Sequence, residues 1–266
     1  MQFAGFSGMA VSQGDRMGAF MHTSYRWLVG AAVVILLPGV AFAQSAPATA
    51  SAAAQHVAAV KPAGLPTYVP PMRGSPDARI SGATRGGLVG SPHLEVLAPD
   101  HIGLTLQDQP TFFWSTSKAL DGKVDLAITA VATGRVVYKT TVSGPTTAGI
   151  FAFSLAGSDA RLDPGAVYRW SVSTVLPGED SPHTVAVSGL VKRVLPAQVK
   201  LAAFSSDPNG AAIAYARAGV WYDAVAALSQ GLQQTPTDAR LHKSRAALLT
   251  QVGLASVADF DRTASP

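Results

Sequence analysis

A chain of 266 residues, 48% of them hydrophobic and 14% charged, has room for one or two domains and enough apolar side chains to build a core. It contains no cysteine, which excludes disulfides, thiol nucleophiles, cysteine-ligated zinc and a lipidated N-terminal cysteine. The formal net charge of +4 is scattered along the chain, so it gives no nucleic-acid footprint and is weak evidence for any other polyanion.

The first element in chain order is a leader. From Met21 the chain reads MHTSYRWLVGAAVVILLPGVAFAQ, with Arg26 ahead of an apolar run from Leu28 to Leu37. Pro38 and Gly39 break that run, and Ala41-Phe42-Ala43 presents small residues where a signal peptidase reads. The run is about half the roughly 20 residues that a spanning helix needs. Residues 1–43 therefore read as a signal peptide cut after Ala43, with the true start at Met17 or Met21. Removing Arg16, Arg26 and Asp15 with it leaves a net charge of +3. The expected location is the periplasm or the medium, with no membrane insertion after cleavage.

Residues 44–92 are rich in Ala, Pro, Ser and Gly and poor in bulky side chains, the composition of a disordered linker. Inside this tether lies RGSPDARISGATRGG, Arg73 to Gly87. Its arginines suit an acidic partner or a polysaccharide, although the composition favours a solvated linker.

From His93 the pattern turns to period two. PTFFWST puts Phe112 and Trp114 on one face, and KVDLAITA alternates Val124, Leu126 and Ile128 with polar or small residues. RVVYKTTV places Val136, Tyr138, Thr140 and Val142 on one side, and GIFAFSL offers Phe151, Phe153 and Leu155. VYRWSVSTV carries Tyr168, Trp170 and Val172, and VAVSGLVKRVL closes the series before Pro196. With the edge segment LEVL at Leu94, seven strands separated by turn residues fill 93–195, which predicts an antiparallel β-sandwich. Leu162-Asp163-Pro164-Gly165 before Tyr168-Arg169-Trp170 resembles the corner of fibronectin III/Ig-like sandwiches, where a core tyrosine bonds back to the backbone.

Residues 196–262 take up helical spacing. Asp207-Pro208 starts a helix that Gly219 ends, and a second holds Trp221, Ala224, Val225, Leu228 and Leu232 before Pro236. Thr237-Asp238 caps a third, carrying Leu241, Ala247, Leu248 and Val252 up to Gly253. Tyr215, Gly219, Trp221, Ala224, Leu228 and Pro236 resemble a tetratricopeptide repeat, whereas its earlier Trp and Leu-Gly positions do not match. The expected fold is thus α+β: the sandwich, then a small TPR-like helical hairpin plus a third helix. One such unit cannot bury its own faces, so the hairpin is expected to rest on the sandwich.

Core packing accounts best for Trp221 and Ala224. With Trp221 inward, Tyr222 and Asp223 point elsewhere, and together with Arg217 they form the candidate interaction surface for a protein partner in the cell envelope. No catalytic, metal or cofactor motif is present: no G-x-S-x-G, no Walker loop, no H-E-x-x-H. His93, Glu95, Asp100 and His101 are the closest group of metal-ligand types, but Pro92 and Pro99 read better as the ends of a strand. The expected function is a non-enzymatic exported interaction or envelope accessory protein. The alternative is a carbohydrate-binding or hydrolytic protein using Trp114 and Trp170 in an aromatic groove with two facing carboxylates.

RGSP…TRGG, GLTL…PTFFW, LDPGAVYRWSV, YARAGVWYDAVAAL and LLTQVGL occur in one order. Together they resemble the bacterial domain of unknown function 928 family over about residues 73–260, most specifically at Gly219–Ala224. The resemblance implies an exported protein and no catalytic residues. It also implies that a disulfide of other members is absent, because Gly86–Gly87 and Val175 stand at the matching places.

Overall fold

Alternating apolar side chains fold residues 94–193 into strands, and the period change after Pro196 yields helices. The strands are β1 (Leu94–Val96), β2 (Gly103–Thr105), β3 (Thr111–Thr116), β4 (Lys123–Ala130), β5 (Val136–Ser143), β6 (Gly149–Ser154), β7 (Val167–Leu176) and β8 (His183–Arg193). The helices are α1 (Pro208–Arg217), α2 (Trp221–Gln234), α3 (Ala239–Gln251) and α4 (Ala255–Thr263). This computed structural model describes residues 64–71, 79–80, 91–178, 181–202 and 205–264, all within the unit His56–Pro266. The expected leader and most of the arginine–glycine stretch lie outside the described residues. No helix among the described residues is long and apolar enough to cross a membrane.

The strands form a three-stranded sheet, β1-β3-β6, and a five-stranded sheet, β2-β8-β7-β4-β5. Ring contacts join them face to face. Phe112 of β3 stacks on Trp170 of β7 with centroids 4.8 Å apart, and Phe153 of β6 meets Tyr138 of β5 at 6.0 Å. The sheets are not wholly antiparallel, because β2 runs parallel to β8. This eighth strand escapes the alternation rule, since all three of its residues are buried and show no polar face. On β5 the expected inward face is only half realised. Tyr138 reaches the core, but Val136 and Val142 stay exposed on an edge strand.

The corner predicted at residues 162–168 has its expected bond. Tyr168 is buried, and its hydroxyl accepts from Asp163 N–H at 3.1 Å while donating to the Asp163 carboxylate at 3.2 Å. That ties the entry of β7 to the turn before it.

The helix ends also follow local chemistry. Asp207 caps α1 by accepting from Gly210 N, and Asp238 caps α3 by accepting from the N–H groups of Arg240 and Leu241. Gly219 and Gly253 stop α1 and α3 with φ of 75° each, a conformation other residues resist. The chain then departs from expectation, because a fourth helix follows Gly253 and pairs with α3. Helix α4 buries only Val257, Ala258 and Asp261, and its N-cap, Leu254, has no capping side chain to announce the start.

The expected linker is interrupted by structure. Residues 64–71 lie as an extended strap on the helices, with Val69 N–H bonded to Ala216 O and Tyr68 N–H to Gln251 Oε1. Tyr68 is buried edge-on to Trp221, and its hydroxyl meets His101 Nε2 at 2.8 Å. Farther along, Arg79 bonds Ala98 O and Val252 O. One tyrosine in a Pro- and Ala-rich stretch is a faint signal, yet a single aromatic ring buries enough area to hold such a segment down.

Candidate functional site

Gly219–Ala224 is the seam between helices and sheets. Trp221, fully buried, donates from Nε1 to Leu97 O at 2.9 Å. Tyr222 inserts between the sheets, edge-on to Phe112 and to Trp170. Its hydroxyl accepts from Trp170 Nε1 at 2.9 Å and donates to Leu190 O at 2.9 Å. Two glycines leave the space: a Cβ on Gly103 would lie 2.7 Å from Tyr222 Cε2, and one on Gly189 would lie 2.6 Å from Ala98 Cβ and 3.3 Å from the Tyr222 hydroxyl. Burial and lost solvation push the Tyr222 hydroxyl well above the usual tyrosine range.

Asp223 completes the seam. Leu106 N–H donates to Oδ2 and Gln107 Nε2 to Oδ1, each at 3.2 Å, and the Thr105 hydroxyl adds a further bond. Three successive side chains thus grip three different parts of the sandwich. They sweep about 200° of the helix, so a first turn wedged into another layer buries all of them.

This placement corrects the candidate surface. Tyr222 is 2% exposed and Asp223 5%, so neither can present itself to a partner. Arg217 is exposed at the last turn of α1 and is separated from them by their burial. Trp114 and Trp170 are buried as well, so these two side chains line no aromatic groove of the kind expected for the carbohydrate or hydrolytic alternative. Of the four metal-ligand candidates, His93 pairs with Glu95 at 2.9 Å and His101 with Asp100 at 3.0 Å. Among the described residues no group of three His, Cys, Asp or Glu is positioned to hold a metal ion.

What opens beside Asp223 is a cleft of about 370 Å³ between α1, α2 and the loop after β2. Its walls include Gln107, Gln109, Thr111, Tyr215, Ala227 and Gln230. Gln109 is already committed, its amide donating to Leu155 O, Ser158 O and Ala160 O. Gln230 is exposed and Ala227 half-buried at the mouth. The lining mixes neutral polar and apolar groups in about equal measure, with Asp223 buried at its base. Sequence reasoning missed it because glutamines and alanines scattered over residues 107–230 share no motif.

Desolvation raises the Asp223 pKa, and its hydrogen bonds only partly oppose that shift. The unfolded value is about 3.9. Between that value and the higher folded one, the native state binds more protons than the unfolded chain. Asp223's contribution is therefore complete below the unfolded pKa and is lost as pH rises through the folded pKa. Urea unfolding across this range is expected to show stability falling with pH, and a flatter profile in Asp223→Asn. Identical pH profiles would contradict this assignment.

Comparison with known proteins fits the order of motifs. The family model described as Domain of Unknown Function (DUF928) matches residues 80–261. No curated protein matches the chain. Among solved structures, the crystal structure of the C-terminal domain of wzt is similar at 14% identity, over 53% of this chain and 92% of that one, with a TM-score of 0.24. A likeness that slight says nothing about ligand or mechanism. The family match spans both sheets, the seam, α1 to α3 and most of α4, and on that basis the chain belongs to the Domain of Unknown Function (DUF928) family.

Proposed function

We propose that the protein is an exported, non-enzymatic binding protein of the cell envelope, whose sandwich and helices act as one rigid body. In this reading β1-β3-β6 opposite β5-β4-β7-β8 is a fibronectin III-like sandwich, and α1–α2 with α3–α4 are two TPR-like hairpins. The cleft beside Asp223 supports it. Gln230 offers a neutral donor and acceptor, and the Gln107 amide oxygen and Thr111 hydroxyl oxygen, whose donors go to Asp223 and Ser154, add acceptors suited to an extended polypeptide. Asp223, the carboxylate at its base, is occupied by bonds from Thr105, Leu106 and Gln107 rather than facing a second acid. Export rests on the leader at residues 21–43.

A photo-crosslinking residue at Ala227, tested in cells, is expected to capture one discrete envelope protein. The same residue at Val175, exposed on β7 away from the cleft, is expected to capture none. Gln230→Trp at the mouth should abolish the adduct, and the mature chain should begin at Gln44. Equal labelling at both positions would end this assignment. Protection of Ala227 by a neutral oligosaccharide would favour the glycan reading instead.

A further inference from the structure

A second cavity, of about 140 Å³, lies between the outer face of β1–β3 and α4. It is lined by His93, Glu95, Ser115, Gly149, Val257 and Phe260 among others. On β1, Leu94 and Val96 face the core with no exposure, so the alternation of the strand turns Glu95 to the opposite face, where α4 lies above it. The Glu95 side chain is only 12% exposed. Its Oε1 meets His93 Nε2 at 2.9 Å, whereas Oε2 is buried without a hydrogen-bond partner.

A carboxylate largely withdrawn from water is unfavourable unless donors or a positive charge lie beside it. Oε2 has no donor, and the 12% of the side chain that stays exposed is where a positive charge can approach the carboxylate. The volume narrows the occupant, since an apolar cavity of roughly 150 Å³ takes up a benzene ring. Val257 and Gly149 give the cavity apolar walls, and Phe260 of α4, 41% exposed, also lines it. We propose that this cavity binds a small ring-bearing ammonium compound, its ring against Val257 and Phe260 and its charged nitrogen compensating Glu95. A metal ion does not suit the same place, because no third ligand joins His93 and Glu95 among the described residues. The site is separate from the cleft beside Asp223 and stands whether or not a protein partner docks there.

The test is calorimetric titration of the full chain with benzylamine. Saturable binding is expected below about 10 mM, weakened about 10- to 100-fold in Glu95→Gln by loss of the carboxylate charge. Benzyl alcohol, equal in size but uncharged, is expected to bind at least about tenfold more weakly. Ser256→Trp, placed at an exposed lining position so that the fold is spared, should block the cavity and abolish binding. Absence of benzylamine binding in the wild type overturns the proposal, as does equal affinity in Glu95→Gln or for the alcohol. Tighter binding of N-acetyl-lysine methylamide than of benzylamine overturns the small-molecule assignment, since it would point to a lysine side chain of a protein.

Discussion

Trp221→Ala is expected to lower the thermal midpoint by about 6–20 °C. Replacing a buried tryptophan with alanine removes about 3–5 kcal/mol, and a domain of this size shifts by about 2–4 °C per kcal/mol. Trp221 has no exposed surface, donates to Leu97 O and carries Tyr68 edge-on with centroids 4.9 Å apart. Its loss therefore opens a void, leaves a carbonyl unpaired and releases the strap from the helices. Trp221→Phe keeps a ring and loses the N–H, so its deficit is expected to be smaller, about 1–3 kcal/mol. Thermal unfolding followed by circular dichroism checks both, and limited proteolysis at residues 64–71 should report the freed strap. A shift below about 3 °C in Trp221→Ala would show that the helices do not depend on the seam.

Asp261→Ala is the second substitution expected to be severe, at about 3–5 kcal/mol. The carboxylate is fully buried on α4. It accepts from Arg245 Nε at 2.8 Å and Nη2 at 2.7 Å, and Oδ1 also meets His242 Nδ1 at 2.8 Å. Arg245 extends the network to Ser229 on α2 at 3.1 Å, and His242 Nε2 meets Pro236 O at 2.8 Å. Both α3 side chains are themselves buried, so removing the anion strands a guanidinium away from water. Arg245→Met combined with Asp261→Leu is expected to lose less than Asp261→Ala alone, because neither charge is then left without its counterion. A double-mutant cycle measured by urea unfolding gives the coupling directly. Strict additivity would show that the pair does not hold α3 to α4.

Much of the helical layout is legible in short stretches of chain. Asp207 with Pro208, Gly219, Asp238 and Gly253 do their work within one helical turn, so their residue types announce the ends. Helix α4 has no comparable signal, because what holds it is Asp261 reaching two side chains on α3. Strand β2 is silent for a different reason: burial on both faces erases the alternation that identifies a strand. Of the candidate site, the sequence singles out Tyr222 and Asp223 as special but assigns them the wrong environment. Helical geometry predicts which way they point relative to Trp221, and only the neighbouring layers decide whether that direction is solvent. Glu95 is likewise visible as a rare glutamate beside a histidine, whereas its unpartnered oxygen depends on α4 closing over β1.

The sequence by itself determined the α+β class, most of the strands, the bond from Tyr168 back to the turn before it, the first three helices and the family. Each of these follows from side-chain periodicity, local hydrogen bonding or motif order. Tertiary structure alone decided that GVWYDA is a buried seam, that residues 64–71 form a strap, and that cavities open beside Asp223 and Glu95. Those outcomes depend on groups more than a hundred residues apart, such as Trp221 with Leu97 and Tyr68 with Gln251. A linear pattern carries the propensity of each side chain to be buried, and the wall that buries it is supplied by distant parts of the chain.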